Sequence, residues 1–568
     1  MDVPQQTRFM ATESSISGMR DILDPVARWR SQRLLLGCAA PFLLAPLLAL
    51  GTQASKCLYA IMVVCSLWLS QLIPVQAAGL VPLLLISALG IAPTRDVARA
   101  YYDDNVLGVI CCCVLACCFE ESRLPKRIAL LLLHLRLGYK ALTLTLVFAF
   151  STAATTIVAR RTFSVTIYSL LVRALAREMR CTAKLRSTAA ARSLQPTIPA
   201  VTTADDPKVL TEAIDEEPAE VKKELREYQQ LQNALLIIVA FSSHLGSSFF
   251  FTGSQRHLHF MELCSKTMEP GTLTAGAWIA VNAPSAIILI LLICVAMRTF
   301  YILKLDVYSR DSYDHRKEMN FIFSSQYSEM GQITAWEALM AFFLFFFVAV
   351  QFTRQPVLFH GWAEFLNAEG YVSDATSSAL VLLVMGFVPI RLMELMSRHR
   401  VLNWRVVLPE LPWGIALVLG AGNAFAYAAN KTGLTDTTVS WLDRVTDKPI
   451  LTQVGLSFSS AFSAQFTRKF LDAPRLHQIV DKSVQDRVHP MMYILPTASA
   501  SSFSYVMPTA SVANVMVYRY GDVAPVQMLI SSMVLLACSC LLTVGSYHVL
   551  ERSPLSHYLP HWGNSTRL

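Results

Sequence analysis

Charged residues are scarce in this 568-residue chain, where Asp, Glu, Lys and Arg make up 15%, compared with roughly 25% in soluble domains. Hydrophobic residues make up 54%, and the mean hydropathy is +0.44. This composition excludes a soluble globular protein and predicts an all-α polytopic membrane protein. The net charge of +8 does not indicate nucleic-acid binding, because Lys and Arg gather in short segments between apolar runs.

Catalytic motifs are also missing, since the chain contains no HExxH zinc motif, nucleophile motif or phosphate loop. The sequence therefore predicts no enzyme, and isolated histidines such as His257 and His489 are expected to cap helices or lie at interfaces. Five of the 13 cysteines fall between Cys111 and Cys118 in one apolar run, where cysteine acts as a small hydrophobe. No cleavable signal pattern precedes the first apolar run, so the N-terminal segment is expected in the cytosol.

The stretch that organises the sequence is HPMMYILPTASASSFSYVMPTASVANVMVYRYG, residues 489–521. It is apolar enough for a bilayer, but Pro496 and Pro508 each remove a helical hydrogen bond. Broken backbone at membrane depth is tolerated only inside protein or beside a wet cavity, and in secondary transporters it forms the substrate and ion sites. The alternative is a proline-kinked helix whose hydroxyl groups bond to their own backbone.

Similar irregular stretches occur elsewhere. Residues 128–175 form a long apolar run with adjacent Arg160 and Arg161, and 234–258 is interrupted by SSHLGSS. Two arginines facing lipid are costly, so this point is predicted to be a hairpin tip or to face a wet cavity, the alternative being a short loop between spans. An interrupted run followed by a broken helix recurs at 451–470 and 489–521, and such paired segments predict a transporter site between repeats.

These patterns divide the chain into the following segments: a cytosolic N-terminal segment (1–33), first scaffold helices (34–127), a first re-entrant hairpin region (128–175), a cytosolic linker (176–233), a broken helix with the following span (234–300), a cytosolic loop (301–334), second-repeat scaffold helices (335–450), a second re-entrant hairpin (451–475), a broken helix with the last span (489–550) and an extracellular tail (551–568). The sequon at Asn564 predicts glycosylation, which would place the tail outside, with the plasma membrane as the expected location.

Several motifs resemble solute carrier family 13, the sodium-coupled di- and tricarboxylate transporters. They are EESRLPKRIAL, GQITAWEAL, QFTRQP, HGW, YVSDATSS, LPWGIALVLGAGNAFA and residues 492–521, in collinear order along nearly the whole chain. The resemblance implies an elevator-type homodimer with about 11 transmembrane helices and two re-entrant hairpins in an inverted repeat. It also implies that a Ser-Asn-Thr motif at each hairpin tip coordinates sodium and touches a substrate carboxylate.

The hairpin tips depart from that motif. Aligned without gaps, the first slot falls on Ala159, Arg160 and Arg161, and the second reads Ser463-Ala464-Gln465. Ser151 to Thr156, STAATT, mimics the first motif but would require a gap. In the broken helices, His257 occupies a position usually held by Asn, whereas Thr509, Ala510 and Asn514 are in place.

The predicted substrate-binding residues are Arg160, Arg161, Thr162, Ser463, Ala464, Thr509, Asn514, Gly246 and Ser247. The weaker candidate sodium ligands are Ser463, Thr467, Ser248, Thr252 and Thr509.

We hypothesise that Arg160 or Arg161 at one tip, and Arg468 or Lys469 at the other, act as tethered cations in place of sodium, because a guanidinium can hold a carboxylate bidentately. The sequence thus predicts a transporter of di- or tricarboxylate anions with altered or absent sodium coupling. Its expected partners are small carboxylate anions, the lipid bilayer and a second copy of the chain, and sodium is the one candidate cofactor. The alternatives are a non-transporting relative that binds or regulates, and a conventional sodium:carboxylate symporter.

Overall fold

The computed structural model describes residues 37–135, 141–194, 219–250, 253–267, 274–302, 305, 313–354, 360–366, 371–389, 400–434, 448–466, 473–521, 523 and 525–552. Apart from one isolated β-bridge between Pro389 and Arg400, the regular structure of this part is helical.

The helices are α1 (Pro46–Ala49), α2 (Gln53–Ser70), α3 (Val75–Ala78), α4 (Val81–Ala88), α5 (Thr94–Tyr101), α6 (Asp104–Glu121), α7 (Leu124–His134), α8 (Ala141–Leu194), α9 (Ala219–Gly246), α10 (Gln255–Thr267), α11 (Ala275–Phe300), α12 (Tyr313–Glu329), α13 (Ala335–Arg354), α14 (Trp362–Phe365), α15 (Asp374–Phe387), α16 (Trp404–Glu410), α17 (Trp413–Thr432), α18 (Pro449–Ser463), α19 (Ala473–Gln485), α20 (Pro490–Ala500), α21 (Val512–Tyr520) and α22 (Pro525–Arg552). A 3₁₀ turn, Pro508–Ala510, lies between α20 and α21.

By length and composition, six described helical segments could cross a membrane: Gln53–Ser70, Thr94–Glu121, Leu142–Lys184, Ala275–Thr299, Ala335–Arg354 and Met528–Arg552. A seventh is the pair α16 and α17, bent by 56°. Three shorter apolar helices are Gly37–Ala49, Val75–Ala88 and Asp374–Phe387. The all-α polytopic class agrees with the prediction, whereas the count of about 11 spans stays a prediction.

Local capping chemistry fixes several helix ends. The side chain of Thr52 accepts a hydrogen bond from the Ser55 amide at 3.1 Å at the start of α2, and Ser373 forms a capping box with Thr376 at the start of α15. Gly433 ends α17 with a φ of 65°, in the left-handed region that favours glycine. His489 caps α20 by accepting from the Met491 amide at 3.1 Å, the capping role expected for an isolated histidine.

The chain reverses direction at Arg160, inside α8. Arg160 has non-helical angles, φ 64° and ψ 160°, and separates an arm at 141–159 (α8a) from an arm at 161–194 (α8b). The rings of Phe148 and Tyr168 lie 6.4 Å apart, whereas twenty residues of straight helix would separate them by about 30 Å. The two arms therefore fold back on each other as a hairpin with Arg160 at its tip.

The two predicted broken helices are interrupted at defined points. The first is α9, which ends at Gly246 before α10 begins at Gln255. The second is α20, which runs through Pro496 to Ala500, and the helix resumes only at Val512. The second break thus lies between the two prolines, because Pro496 is tolerated inside α20 and Pro508 opens the 3₁₀ turn.

Two boundaries differ from the sequence interpretation. The predicted cytosolic linker at 176–233 is helical at both described ends, since α8b continues to Leu194 and α9 begins at Ala219. Leu225, Tyr228 and Leu231 are buried, so the start of α9 packs against the protein.

The core is built where α9 packs along α8, which is the most extensive contact between two helices in the described part of the chain. Helix α21 packs against both. The cysteine-rich helix α6 packs against α15 and α8. All 13 cysteines are free thiols, and Cys111, Cys112, Cys113 and Cys118 are buried, as expected of small hydrophobes.

Candidate functional site

The first junction comprises the hairpin tip, residues 159–161, and the described residues of the break between α9 and α10, 247–250 and 253–254. Here the Arg161 guanidinium donates to the Ser247 hydroxyl at 2.5 Å. Ser247 in turn donates to the His244 carbonyl at 2.7 Å, on the last turn of α9. The Arg161 Nε is buried without a hydrogen-bond partner, and no carboxylate forms an ion pair with Arg161 among the described residues. A guanidinium is thus held at a helix C-terminus with donor capacity unused.

Two glycines allow the backbone to close around this position. A Cβ on Gly246 would meet the Ala153 carbonyl oxygen at 2.6 Å, and a Cβ on Gly253 would meet the Ser247 carbonyl oxygen at 2.5 Å. The carbonyl of Ser248 accepts from the Trp278 indole at 2.9 Å. The break is therefore tightly packed against the hairpin on one side and α11 on the other.

Arg160 points into a different environment. Its guanidinium forms an ion pair with Asp374, the first residue of α15. Arg354 pairs with the same carboxylate at 3.0 Å, so one carboxylate is shared by two cations. Arg160, Thr162 and Asp374 line a cavity of about 30 Å³, which has room for about two waters but not for a dicarboxylate.

The second junction comprises residues 464–466 at the end of α18 and the break between α20 and α21, residues 501–511. Gln465 organises it. Its amide nitrogen donates to the carbonyls of Ala461 and Phe503 at 2.8 and 2.7 Å. Its amide oxygen accepts from the backbone amides of Val506 and Met507 at 2.9 and 3.4 Å. One side chain therefore satisfies three backbone groups at the break, those of Phe503, Val506 and Met507, and a fourth on α18.

Asn514 and Thr509 hold the far side of this break. Asn514 donates to the carbonyls of Ser504 and Met507 at 2.9 and 2.7 Å. The backbone of Thr509 lies against Gly422 of α17, where an added Cβ would meet the Thr509 carbonyl oxygen at 2.4 Å. These contacts fix the backbone path around the break.

A second arginine reaches this junction from the first break. Arg256 of α10 donates to the Ser501 carbonyl at 2.6 Å and to the Ala464 carbonyl at 3.3 Å. Both carbonyls belong to C-cap residues, of α20 and α18 respectively. Ala464, a predicted binding residue, therefore contributes through its backbone.

Two buried histidines lie where the two breaks meet. His257 makes a 2.6 Å hydrogen bond to the Ser502 hydroxyl, and His244 stacks edge-on against Tyr505 with ring centroids 4.9 Å apart. The positive charges of Arg161 and Arg256 act on both imidazoles. The two junctions thus form one polar, electropositive cluster inside an apolar protein.

A family model described as the sodium:sulfate symporter transmembrane region matches residues 27–549. The chain belongs to this family, solute carrier family 13. Among its relatives, the Na(+)/citrate cotransporter of Rattus norvegicus is 23% identical over 562 residues, covering 93% of this chain and 96% of that protein. The Na(+)/dicarboxylate cotransporter 3 of Homo sapiens is 24% identical over 530 residues, 87% of each chain. Solute carrier family 13 member 1 of Mus musculus is 24% identical, covering 92% of this chain and 95% of its own.

Family membership confirms the predicted class, a multi-pass membrane transporter, and confirms that the chain is not an enzyme. Within that frame, the structure brings Arg161, Gly246, Ser247 and Ser248 together at the first junction. It separates Arg160 from them, since its ion pair is with Asp374. STAATT lies in α8a, where Ser151 and Thr155 donate to carbonyls of their own helix, so the reversal falls on the ungapped slot.

At the second junction, Ser463 is the last residue of α18 and is buried. Thr252, Thr467, Arg468, Lys469 and Asn564 lie outside the described residues, so their predicted roles stay predictions. Sequence reasoning missed Arg256, Gln465, Asp374 and His244. Gln465 stands at the Thr position of the aligned tip motif, where the absent Asn falls on Ala464, and the motif alone does not indicate that a side-chain amide at this position bonds to the backbone of the break.

Proposed function

We propose that the protein carries di- or tricarboxylate anions across a membrane and that Arg161 supplies a fixed positive charge in place of sodium coupling at the first junction. The observation that supports this most is the buried Arg161 guanidinium, which contacts Ser247 but pairs with no carboxylate among the described residues. A buried charge without a counter-ion is costly, and an anionic ligand would offset that cost.

The names of the relatives support the substrate class. They include sodium-coupled cotransporters of citrate and of dicarboxylates. The chain retains the broken backbone of two interrupted helices, but its first tip presents arginine where the resemblance expects oxygen ligands. A guanidinium holds a carboxylate bidentately, whereas sodium prefers oxygen ligands, by analogy with other hard cations.

Other features are proposed on the resemblance. They are an inverted repeat of two re-entrant hairpins, an elevator movement of these hairpins against scaffold helices such as α15 and α17, a homodimer, a cytosolic N-terminus and an extracellular, glycosylated C-terminus in the plasma membrane. The ion pair between Arg160 at the hairpin tip and Asp374 on α15 is a contact that an elevator movement would have to break.

A second candidate function is a binding or regulatory membrane protein that no longer transports. It is favoured by the same contact, since Arg160 already pairs with the protein carboxylate of Asp374 and the cavity beside them has a volume of only about 30 Å³. In this case a protein carboxylate occupies the place that a substrate carboxylate would take at the tip.

Uptake into proteoliposomes distinguishes these functions. Purified protein would be reconstituted and given labelled citrate, succinate or sulfate, with internal and external sodium or with choline replacing sodium throughout. The proposal predicts uptake of a carboxylate above that of protein-free vesicles, at a similar rate in both media. A steep sodium requirement would instead indicate a conventional symporter. Absence of flux for every anion, with a correctly inserted protein, would favour the non-transporting candidate.

A further inference from the structure

The second junction places two helix C-termini side by side. Helices α18 and α20 run parallel, because Gln453 donates to the Met492 carbonyl and, seven residues on, Ser460 donates to the Thr497 carbonyl, each at 2.8 Å. Their C-cap residues, Ala464 and Ser501, consequently end at the same level. Each helix C-terminus carries roughly half a negative charge, so two adjacent ends together approximate one negative charge.

One guanidinium meets this charge. Arg256 binds the Ser501 carbonyl at 2.6 Å with one nitrogen and the Ala464 carbonyl at 3.3 Å with another. Backbone carbonyls at the ends of interrupted helices are the groups with which secondary transporters coordinate a monovalent cation. The Ser502 and Ser254 hydroxyls, 3.4 Å apart, add further oxygen atoms nearby.

We propose that Arg256 is a built-in cation that occupies a monovalent-cation position at the second junction. The inference deepens the proposed function, on which it rests, because it gives the same site a second fixed charge. Arg161 and Arg256 then play equivalent parts: each places a guanidinium where a helix ends at a break, and both charges act on His244 and His257. An anion bound between the breaks would be held by the protein's own charges.

The proposal differs from ordinary helix capping in what happens when Arg256 is removed. A side chain that only caps would leave a less stable protein with no preference among salts. A side chain that fills a cation position would leave a polar gap lined by carbonyl and hydroxyl oxygens, which a small cation can enter.

The test is the melting temperature of the detergent-purified full-length protein in 100 mM choline chloride, with sodium, potassium or guanidinium added at up to the same concentration. Arg256→Ala is expected to melt lower than wild type in choline and to regain about 2–4 °C in sodium or in low guanidinium. Wild type and Arg173→Gln, which removes an arginine paired with Glu120 at 3.2 Å, are expected to show no such gain.

Two results would overturn the proposal. One is a wild-type melting temperature that rises in sodium, as expected of a protein with an open cation site. The other is a folded Arg256→Ala variant whose melting temperature is the same in choline, sodium, potassium and guanidinium. If Arg256→Ala does not fold, the melting temperatures of wild type and Arg256→Gln in the same series of salts test the proposal instead. The uptake assay is independent of these measurements. Cation-dependent melting of the variant with no uptake by wild type would support Arg256 but reject transport, and sodium-independent uptake without cation-dependent melting would do the reverse.

Discussion

The two junctions both stabilise the end of a broken helix, but they use different residues to do so. In both, the first half of a broken helix ends beside another helical element, the hairpin tip at the first junction and the end of α18 at the second, and both receive a guanidinium at that end. At the first junction, Arg161 comes from the tip itself and binds Ser247 at 2.5 Å. At the second, Arg256 comes from the other break, while Gln465 of the tip binds four backbone groups.

This difference shows how an electropositive site can be shared between halves of the chain. The first charge is local, so its position follows the hairpin. The second charge links α10 to α18 and α20 through hydrogen bonds, so a movement of one break is expected to displace the other. Arg256 and the bond between His257 and Ser502 are therefore among the contacts that couple the junctions, together with those of Ser254 with Ser502 and of His244 with Tyr505.

The largest expected effect concerns Asp374, the carboxylate that pairs with Arg160 at the hairpin tip. Asp374→Asn removes the carboxylate shared by Arg160 and Arg354, whose side chains are 14% and 6% exposed. Leaving these two cations without their counter-charge is expected to lower the free energy of unfolding by about 3–5 kcal/mol. Thermal unfolding of the purified protein measures this.

The matched variant is Arg160→Gln. It is expected to cost less than Asp374→Asn because Arg354 keeps its carboxylate, at 3.0 Å. If Arg160→Gln were the more damaging of the two, Asp374 would not be the centre of this cluster, and the proposed separation of Arg160 from the Arg161 site would be wrong.

A second prediction tests whether the local charge is the functional one. Arg161→Gln removes the charge but keeps a donor for Ser247, and is expected to reduce carboxylate uptake about 10- to 100-fold, the range for losing a hydrogen bond to a charged group. Arg161→Lys keeps the charge but lacks the planar guanidinium, so its uptake should lie between that of wild type and that of Arg161→Gln. Labelled uptake measures both. Arg173→Gln, about 18 Å further along α8b, is the control, and equal uptake by Arg161→Gln and wild type would remove Arg161 from the site.

The sequence was sufficient for the class, the two breaks and the first tip. Adjacent Arg160 and Arg161 in an apolar run required an unusual environment, and two prolines bracketed the second break. It did not assign the two arginines different partners, because Asp374 lies more than two hundred residues away along the chain. It also overlooked Arg256, since a single arginine after a break is the same in sequence whether it faces solvent or reaches two carbonyls of another helix pair.

A third prediction concerns the uncharged half of the second junction. Gln465→Ala leaves the Phe503 carbonyl and the Val506 amide without their partner and is expected to cost about 2–3 kcal/mol in unfolding free energy. Gln465→Glu keeps the acceptor for Val506 but turns a buried carboxylate toward the Ala461 and Phe503 carbonyls, so a cost at least as large is expected. Thermal unfolding checks both, with Gln332→Ala at an exposed position as the neutral control. A loss confined to Gln465→Ala would show that only the acceptor matters.

The smallest expected effect concerns the close backbone packing at the first junction. This packing fixes the first break, whereas hydrogen bonds from Gln465 fix the second. Gly246→Ala would bring a Cβ within 2.6 Å of the Ala153 carbonyl oxygen, and backbone cannot yield as a flexible side chain does, so a cost of about 1–3 kcal/mol is expected. Ser247 would shift with it, so uptake should fall as well. Gly386→Ala in α15 is the matched control, since nothing lies within 4 Å of its added Cβ, and it is expected to stabilise the helix by about 0.5–1 kcal/mol. Equal melting temperatures for the two variants would mean that the hairpin can move away from α9 without cost, and the first junction would then depend on Arg161 alone.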